Sequence, residues 1–121
     1  MEISGWIRER VPLIEFPFCG RMLEACVDTG FNGALMIPRQ LAKDAKLDHL
    51  FDVEVETASG ETLAVEAYAA EVSWFGQDFQ VEVITTHGQF ALLGMSLLEN
   101  TRLILEPSKG LVKITPVLSE R

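Results

Sequence analysis

The carboxylate best placed for chemistry is that of Asp28, in the sequence Asp28-Thr29-Gly30. It directly follows the apolar segment Ala25-Cys26-Val27, which predicts that a strand ends there and that the chain turns sharply. A carboxylate in this position can act as a general acid or base. It can equally serve as a turn residue that accepts hydrogen bonds from nearby backbone amides. The tripeptide alone leaves both interpretations open.

The other reactive side chains have weaker patterns. Cys19 and Cys26 are too few for a disulfide framework and lack the paired spacing of a zinc site, so we expect free thiols. Neither His49 nor His87 is near them in sequence, which argues against a cysteine nucleophile. The segment Asp48–Asp52 holds three potential metal ligands, but no second cluster accompanies it. We therefore expect neither a metal ion nor a cofactor.

The surrounding elements are mostly short strands separated by turns. Two strand-like runs, 11–18 and 22–27, flank Gly20 and predict a hairpin that leads into Asp28. Pro38 predicts the start of a short helix that runs to about Leu47. Alternating residues on either side of Ala58-Ser59-Gly60-Glu61 predict a projecting hairpin.

The second half of the chain continues this pattern. Val72 and Trp74 lead to a bend at 75–78, and Phe79, Val81 and Val83 alternate after it, so we expect a third hairpin with a buried inner face. An apolar segment at 90–93, a helical turn at 95–100 and two closing strands at 103–105 and 111–114 complete the prediction. The 121 residues suffice for one domain, residues 1–121, of the all-β class with one or two short helices.

Two segments carry a resemblance to a known family. Residues 24–33, Glu-Ala-Cys-Val-Asp-Thr-Gly-Phe-Asn-Gly, resemble the catalytic strand and loop of single-lobed aspartic proteases of clan AA, especially the retropepsin-like members found in bacteria. Residues 92–98, Leu-Leu-Gly-Met-Ser-Leu-Leu, resemble the second signature of that family. The similarity runs from about Leu13 to Leu105 and implies a retropepsin-like closed β-barrel, which is one lobe of an acid-protease fold.

The resemblance also implies roles for individual residues. Asp28 would be the catalytic carboxylate, Thr29 would cross-link two active-site loops, and Gly30 would let the backbone approach the carboxylate. The active-site loop would be supported by Leu92, Leu93 and Gly94. The tip of a flap over the substrate would be formed by Ala58, Ser59 and Gly60.

One position departs from the family pattern. Many members have Ala or Ser directly after the Asp-Thr-Gly, whereas this chain has Phe31. Unlike Ser, a phenyl ring cannot donate a hydrogen bond to the carboxylate and so favour its charged form. Either the catalytic pair titrates at higher pH than in relatives with Ser, or the pocket is reshaped.

A single Asp-Thr-Gly implies that two chains build one active site. Peptide hydrolysis by carboxylates needs a base for the attacking water and an acid for the substrate carbonyl. The chain is too short for two lobes, so a second Asp28 must come from a second copy across a two-fold axis. We therefore predict a homodimeric aspartic endopeptidase that acts on extended polypeptides.

Charge and hydropathy exclude several other classes. The net charge of −8 opposes binding to nucleic acid or anionic lipid. No apolar run approaches the roughly 20 residues of a membrane span, and charges within Met1–Arg10 replace the apolar stretch of a secretory signal. We therefore expect a cytoplasmic protein without a membrane partner.

Two alternatives remain at this stage. The same dimeric fold could serve as a peptide-binding or dimerisation module with little or no catalysis. The chain could also be a small acidic β-barrel in which Asp28 only caps a turn. The sequence leaves open whether residues 1–10 and 115–121 take part in the dimer sheet.

Overall fold

The protein is built mainly from strands. The computed structural model describes residues 1–117. Its elements are β1 Ile3–Arg8, β2 Val11–Phe18, β3 Arg21–Val27, β4 Leu35–Pro38, α1 Arg39–Asp44, β5 Asp48–Glu56, β6 Thr62–Trp74, β7 Gln77–Thr86, β8 Ala91–Leu93, α2 Met95–Leu98, β9 Thr101–Glu106, a 3₁₀ turn Pro107–Lys109 and β10 Leu111–Pro116. The expected all-β class is confirmed. No helix in the described part of the chain is long and apolar enough to cross a membrane.

The strands join into one sheet that curls into a ring. Their order is β5-β6-β7-β4-β8-β3-β2-β1-β10-β9. The ring runs from β6 to β2 and closes where Phe18 of β2 pairs with Val72 of β6. A hydrogen bond of 3.3 Å from the Cys19 N–H to the Glu71 carbonyl lies beside this pair. The expected barrel is thus a ring closed by one residue pair, from which β5 on one side and β1-β10-β9 on the other extend.

The core follows from the two-residue periodicity of these strands. Ile14, Phe16 and Phe18 alternate with exposed residues along β2 and are almost completely buried. Trp74 and Phe16 pack in a T-shaped arrangement with ring centroids 5.7 Å apart. Burial of each such side chain contributes about 1.5–3 kcal/mol, so the inner face of the ring supplies most of the fold's stability.

The predicted hairpins are present, with two differences. β6 is one 13-residue strand that pairs with β5 and with β7, whereas the sequence suggested two separate arms. Phe75 and Gly76, both with positive φ, form the tight turn before β7. The expectation that the whole inner face of this third hairpin is core is wrong at Phe79, which is 39% exposed and lies in the part of β7 that β4 does not pair with.

The short helix begins and ends close to its predicted bounds. Pro38 ends β4 and precedes α1, which stops at Asp44 instead of continuing to Leu47. The chain leaves the helical path at Lys46, whose φ is +53°. Ala42 is the residue that α1 buries against the core.

The amino-terminal strand changes partner at Gly5. Ile3–Gly5 pair with β10, and Trp6–Arg8 pair with β2 of the same chain. A Cβ atom on Gly5 would lie 1.9 Å from the Leu13 carbonyl oxygen, so the crossover requires a residue without a side chain. Within one chain, β1 and β10 pair with each other, and they pair with β2 and β9, respectively. Residues 118–121 lie outside the described part.

We predict that Gly5→Ala destabilises the protein by about 3 kcal/mol, because the added methyl group would overlap backbone that cannot rotate away. Urea unfolding measures this change. Gly88→Ala is the matched control, since its new Cβ would lie 3.4 Å from Thr86 Oγ1, an ordinary contact, and should change stability by less than about 0.5 kcal/mol. Equal midpoints for the two variants would contradict the close approach at Gly5.

Candidate active site

Asp28 follows the last residue of β3 at a junction of three strands. β8 lies between β3 and β4, because Leu93 pairs with Val27 in parallel and with Leu35 in antiparallel orientation. One step beyond the last pair, the Asp28 N–H donates to the Leu93 carbonyl at 2.9 Å. The backbone that carries the half-buried Asp28 is therefore fixed by a neighbouring strand that belongs to the other half of the chain.

The Asp28 carboxylate is held by its own loop. The Gly30 N–H donates to Asp28 Oδ1 at 2.9 Å, and the Phe31 N–H donates to the Asp28 carbonyl at 3.2 Å. A Cβ atom on Gly30 would lie 3.3 Å from the same carboxylate oxygen. This is the local hydrogen bond that a turn cap makes, and it also orients a carboxylate for chemistry. The loop geometry is therefore consistent with both hypotheses for Asp28.

The loop after Asp28 is joined to the start of α2. The N–H groups in the first turn of a helix have no partner within the helix. Here the Met95 N–H donates to the Phe31 carbonyl at 2.8 Å, and the Ser96 N–H donates to the Gly33 carbonyl at 3.2 Å. The Gly94 N–H donates to the Ala34 carbonyl at 2.9 Å. The two segments that resemble the family signatures are thus connected by backbone hydrogen bonds.

Phe31 fills space that two glycines leave open. A Cβ atom on Gly94 would lie 2.5 Å from Phe31 Cδ2 and 2.2 Å from the Gly33 carbonyl oxygen. A Cβ atom on Gly33 would lie 2.7 Å from Phe31 Cζ. The ring is partly buried in this position. The departure from Ala or Ser after Asp-Thr-Gly is therefore accompanied by packing of the new side chain against Gly33 and Gly94.

The remaining predicted site residues have the following positions. Thr29 is exposed on the loop surface. Ala58, Ser59 and Gly60 form the exposed tip of the β5–β6 hairpin, where Gly60 has a φ of +86°. The tip is closed by a 2.8 Å hydrogen bond from the Thr57 N–H to the Glu61 carbonyl. The roles assigned to these residues from the resemblance stay predictions.

A pocket that the sequence did not indicate lies along β3. It has a volume of about 320 Å³ and is lined by Arg8, Glu9, Val11, Leu13, Cys26, Phe90 and Leu92. Cys26 stands two residues before Asp28, so strand alternation directs both side chains to the same face. Phe90 is 70% exposed although it is a large apolar residue. Strand alternation from Asp28 back to Cys26 could have indicated in the sequence that Cys26 lies on the same face as the carboxylate. The position of Phe90 in the pocket wall could not be predicted in this way, because it depends on the pairing of β8.

The charged groups beside this pocket influence each other. Arg8 forms an ion pair with Glu24, and that hydrogen bond raises the pKa of the guanidinium. The pKa of the Cys26 thiol is raised, first by burial and then by the negative charge of Asp28. The expected free thiols are confirmed for both cysteines.

A group that could hold a metal ion lies on the β5–β6 hairpin. His49, Asp52 and Glu66 each offer a ligand atom, and these atoms lie within 4.8 Å of one another. The sequence showed no second cluster of ligands to accompany Asp48–Asp52, but antiparallel pairing brings one further carboxylate, that of Glu66, directly beside Asp52.

Comparison with known proteins identifies the family. The sequence profile of the family described as "gag-polyprotein putative aspartyl protease" matches residues 14–100, well over half of the chain. The chain belongs to this family of retropepsin-like aspartic proteases. No match was found among curated proteins. The matched range includes Asp28, the Ala58–Gly60 tip and the Leu92–Gly94 segment.

Solved structures of retropepsin-like proteases share the fold. A retropepsin-like aspartic protease from Rickettsia conorii has a TM-score of 0.66 at 19% identity, covering 94% of this chain and 90% of that one. EIAV protease, solved with the inhibitor HBY-793, has a TM-score of 0.64 at 14% identity over 80% and 95% of the two chains. The protease of simian foamy virus (mac) has a TM-score of 0.55 at 20% identity, covering 71% of this chain and 90% of that one. The expected retropepsin-like fold is therefore confirmed.

We predict that iodoacetamide modifies Cys26 roughly tenfold more slowly than Cys19 at about pH 8. The thiolate is the nucleophile, and a raised pKa together with partial burial lowers both the amount of thiolate and its access. Peptide mass spectrometry of time points measures the two rates. The rates should converge in denaturing urea, and equal rates in the folded protein would contradict the environment described for Cys26.

Proposed function

We propose that the protein is an aspartic endopeptidase that works as a homodimer with Asp28 of each chain in one active site. The observation that carries this proposal is the placement of a half-buried, loop-held carboxylate at the end of β3 in a member of an aspartyl protease family. The proposal also explains why a protein of this family has only one Asp-Thr-Gly per chain.

The chemistry requires two carboxyl groups in different protonation states. Two carboxylates about 3 Å apart cannot both stay ionised, so the pair shares one proton. The ionised Asp28 removes a proton from a water molecule, which attacks the peptide carbonyl carbon, while the protonated Asp28 gives its proton to the carbonyl oxygen. The tetrahedral intermediate then breaks its C–N bond as the amine nitrogen takes a proton from one Asp28, and a hydroxyl of the intermediate returns its proton to the other, which restores the pair with one shared proton.

The surrounding residues would position the two carboxylates. Gly30 orients each Asp28 through its N–H, and the Leu93 carbonyl fixes the Asp28 backbone. Leu92 and Gly94 bring β8 and α2 against this loop. Thr29, on the exposed loop surface, is available to hydrogen-bond with its copy across the two-fold axis.

The proposed substrate is an extended polypeptide. A β-hairpin tip formed by Ala58, Ser59 and Gly60 would close over it, and main-chain hydrogen bonds would align it as a strand. The pocket that Cys26 helps to line, two residues before Asp28, would accept an apolar side chain, because Val11, Leu13, Phe90 and Leu92 supply most of its wall. The net charge of −8, which doubles in a dimer, disfavours nucleic acid as a partner.

We predict that Asp28→Asn lowers peptide hydrolysis by roughly 10³-fold or more while the protein still folds and dimerises. The amide keeps the size of the side chain but cannot exchange the proton. Cleavage of a peptide library between about pH 4 and 7 measures turnover, and binding of a statine-type transition-state inhibitor measures the intact cleft. Asp78→Asn, at an exposed position on β7, is the matched control and should keep full activity.

The same experiment separates the alternatives. A parent protein that binds peptides but never cleaves them would overturn the protease proposal in favour of a binding module. Cleavage that survives Asp28→Asn would show that Asp28 only caps its turn.

We predict that a wild-type chain loses its peptidase activity when it pairs with an inactive Asp28→Asn chain. With a tenfold excess of Asp28→Asn chains, most wild-type chains would pair with a variant, so wild-type turnover should fall by roughly tenfold after subunit exchange. The same excess of Asp78→Asn chains should not lower turnover per active chain. Undiminished turnover with the Asp28 variant, together with a monomer in sedimentation, would refute the shared active site.

A further inference from the structure

A β-bulge in β5 brings two potential metal ligands to the same face. His49 pairs with Tyr68 and Phe51 pairs with Ala67, so Leu50 is an extra residue without a partner in the register. In a regular strand, residues three apart point to opposite faces. The extra residue reverses the alternation, and His49 Nε2 lies 3.0 Å from Asp52 Oδ1.

The third potential ligand comes from the neighbouring strand. Glu66 of β6 is the register partner of Asp52. Like charges directly opposite each other on paired strands destabilise a sheet. A cation between Asp52 and Glu66 would convert this repulsion into attraction.

Glu66 is held in place by its surroundings. The Tyr68 hydroxyl donates to Glu66 Oε2 at 2.6 Å. The hydroxyl of Thr85, which is 2% exposed, accepts from the Glu66 N–H at 3.2 Å and donates to the Glu66 carbonyl at 3.3 Å. Such supporting groups orient ligands in metal sites.

There is room for an ion and its water molecules. The three side chains border a pocket of about 490 Å³ whose wall also includes Arg39, Thr85 and His87. His49 and Asp52 have 49% and 71% of their side-chain surface exposed, so they can adjust their rotamers. Ligand atoms within 4.8 Å of one another need only small movements to reach the Zn–N and Zn–O distances of roughly 2.0–2.2 Å.

We propose that His49, Asp52 and Glu66 bind a divalent transition-metal ion of the zinc type at the base of the β5–β6 hairpin. The imidazole nitrogen favours such an ion over Ca²⁺ or Mg²⁺, which prefer ligand sets made of oxygen. Water completes the coordination. Arg39, whose Nε lies 3.0 Å from Glu66 Oε1, competes with the ion for that oxygen.

The metal ion would connect two strands of the hairpin that carries Ala58, Ser59 and Gly60. Both strands are largely exposed toward this tip, so little buried apolar surface restrains it. Binding of the ion should therefore stiffen the hairpin. The inference does not rest on peptidase activity, since binding is measured without a substrate.

A calorimetric titration of the full chain with Zn²⁺ at about pH 7 tests the site. We expect one bound ion per chain, and a loss of affinity of at least roughly tenfold for each of His49→Ala, Asp52→Asn and Glu66→Gln. Glu54→Gln, on the same strand and outside the ligand group, is the matched control and should bind as the wild type does. Equal weakening by Glu54→Gln and Asp52→Asn would reduce the site to a diffuse acidic surface and overturn the proposal.

For Arg39→Gln we expect a gain in Zn²⁺ affinity, the opposite of the effect of the ligand substitutions. Removal of the competing guanidinium should tighten Zn²⁺ binding several-fold, and Glu66→Gln in the same chain should abolish the gain. Lys43→Gln removes a charge from α1 without touching Glu66 and should have a smaller effect. Equal tightening by both substitutions would show general electrostatics instead of competition at Glu66.

Co²⁺ in place of Zn²⁺ distinguishes the ligand type. Visible bands of Co²⁺ bound to nitrogen and oxygen, lost in His49→Ala, would support the site. A strong near-ultraviolet thiolate-to-cobalt band would place the ion on Cys19 or Cys26 and overturn the assignment.

Discussion

The close approach of Gly94 to the loop after Asp28 is the constraint on which the rest of the site depends. The absence of a side chain lets the Gly33 carbonyl and the Phe31 ring occupy positions that a Cβ atom would clash with. That approach allows the Gly94 N–H to reach the Ala34 carbonyl and places β8 between β3 and β4. The Leu93 carbonyl can then accept from the Asp28 N–H, so a packing requirement at one glycine fixes the carboxylate elsewhere in the sequence.

The molecule has a well-buried part and a largely exposed part. The ring of strands from β6 to β2 contains most of the buried side chains and holds Asp28 at its edge. The β5–β6 hairpin beyond Val65 has an exposed tip and depends on cross-strand contacts for its order. Elements that bury little apolar surface open more easily than the core, which would suit the proposed closure of this hairpin over a polypeptide substrate. The proposed ion at His49, Asp52 and Glu66 lies between these two parts.

Strand alternation and glycine turns allowed much of the fold to be predicted from neighbouring residues. The hairpin at Gly20, the projecting hairpin at Ala58–Glu61 and the closing pair of strands are all present. The errors have a common origin. Phe79 alternates like a core residue but lies in the part of β7 that β4 does not pair with, and β6 continues through two hairpins because both partners pair along it. Periodicity indicates which face a residue occupies but not whether another layer covers that face.

The sequence by itself determined the all-β class, the position of Asp28 after an apolar strand and the two signatures of an aspartyl protease family, because these depend on residues adjacent along the chain. Only the tertiary structure decided that Phe31 packs over Gly33 and Gly94, and that Cys26 and Phe90 share a pocket. It also decided that the bulge at Leu50 turns His49 toward Asp52 and Glu66. These contacts depend on strand register, and a shift of one residue would move every side chain to the opposite face.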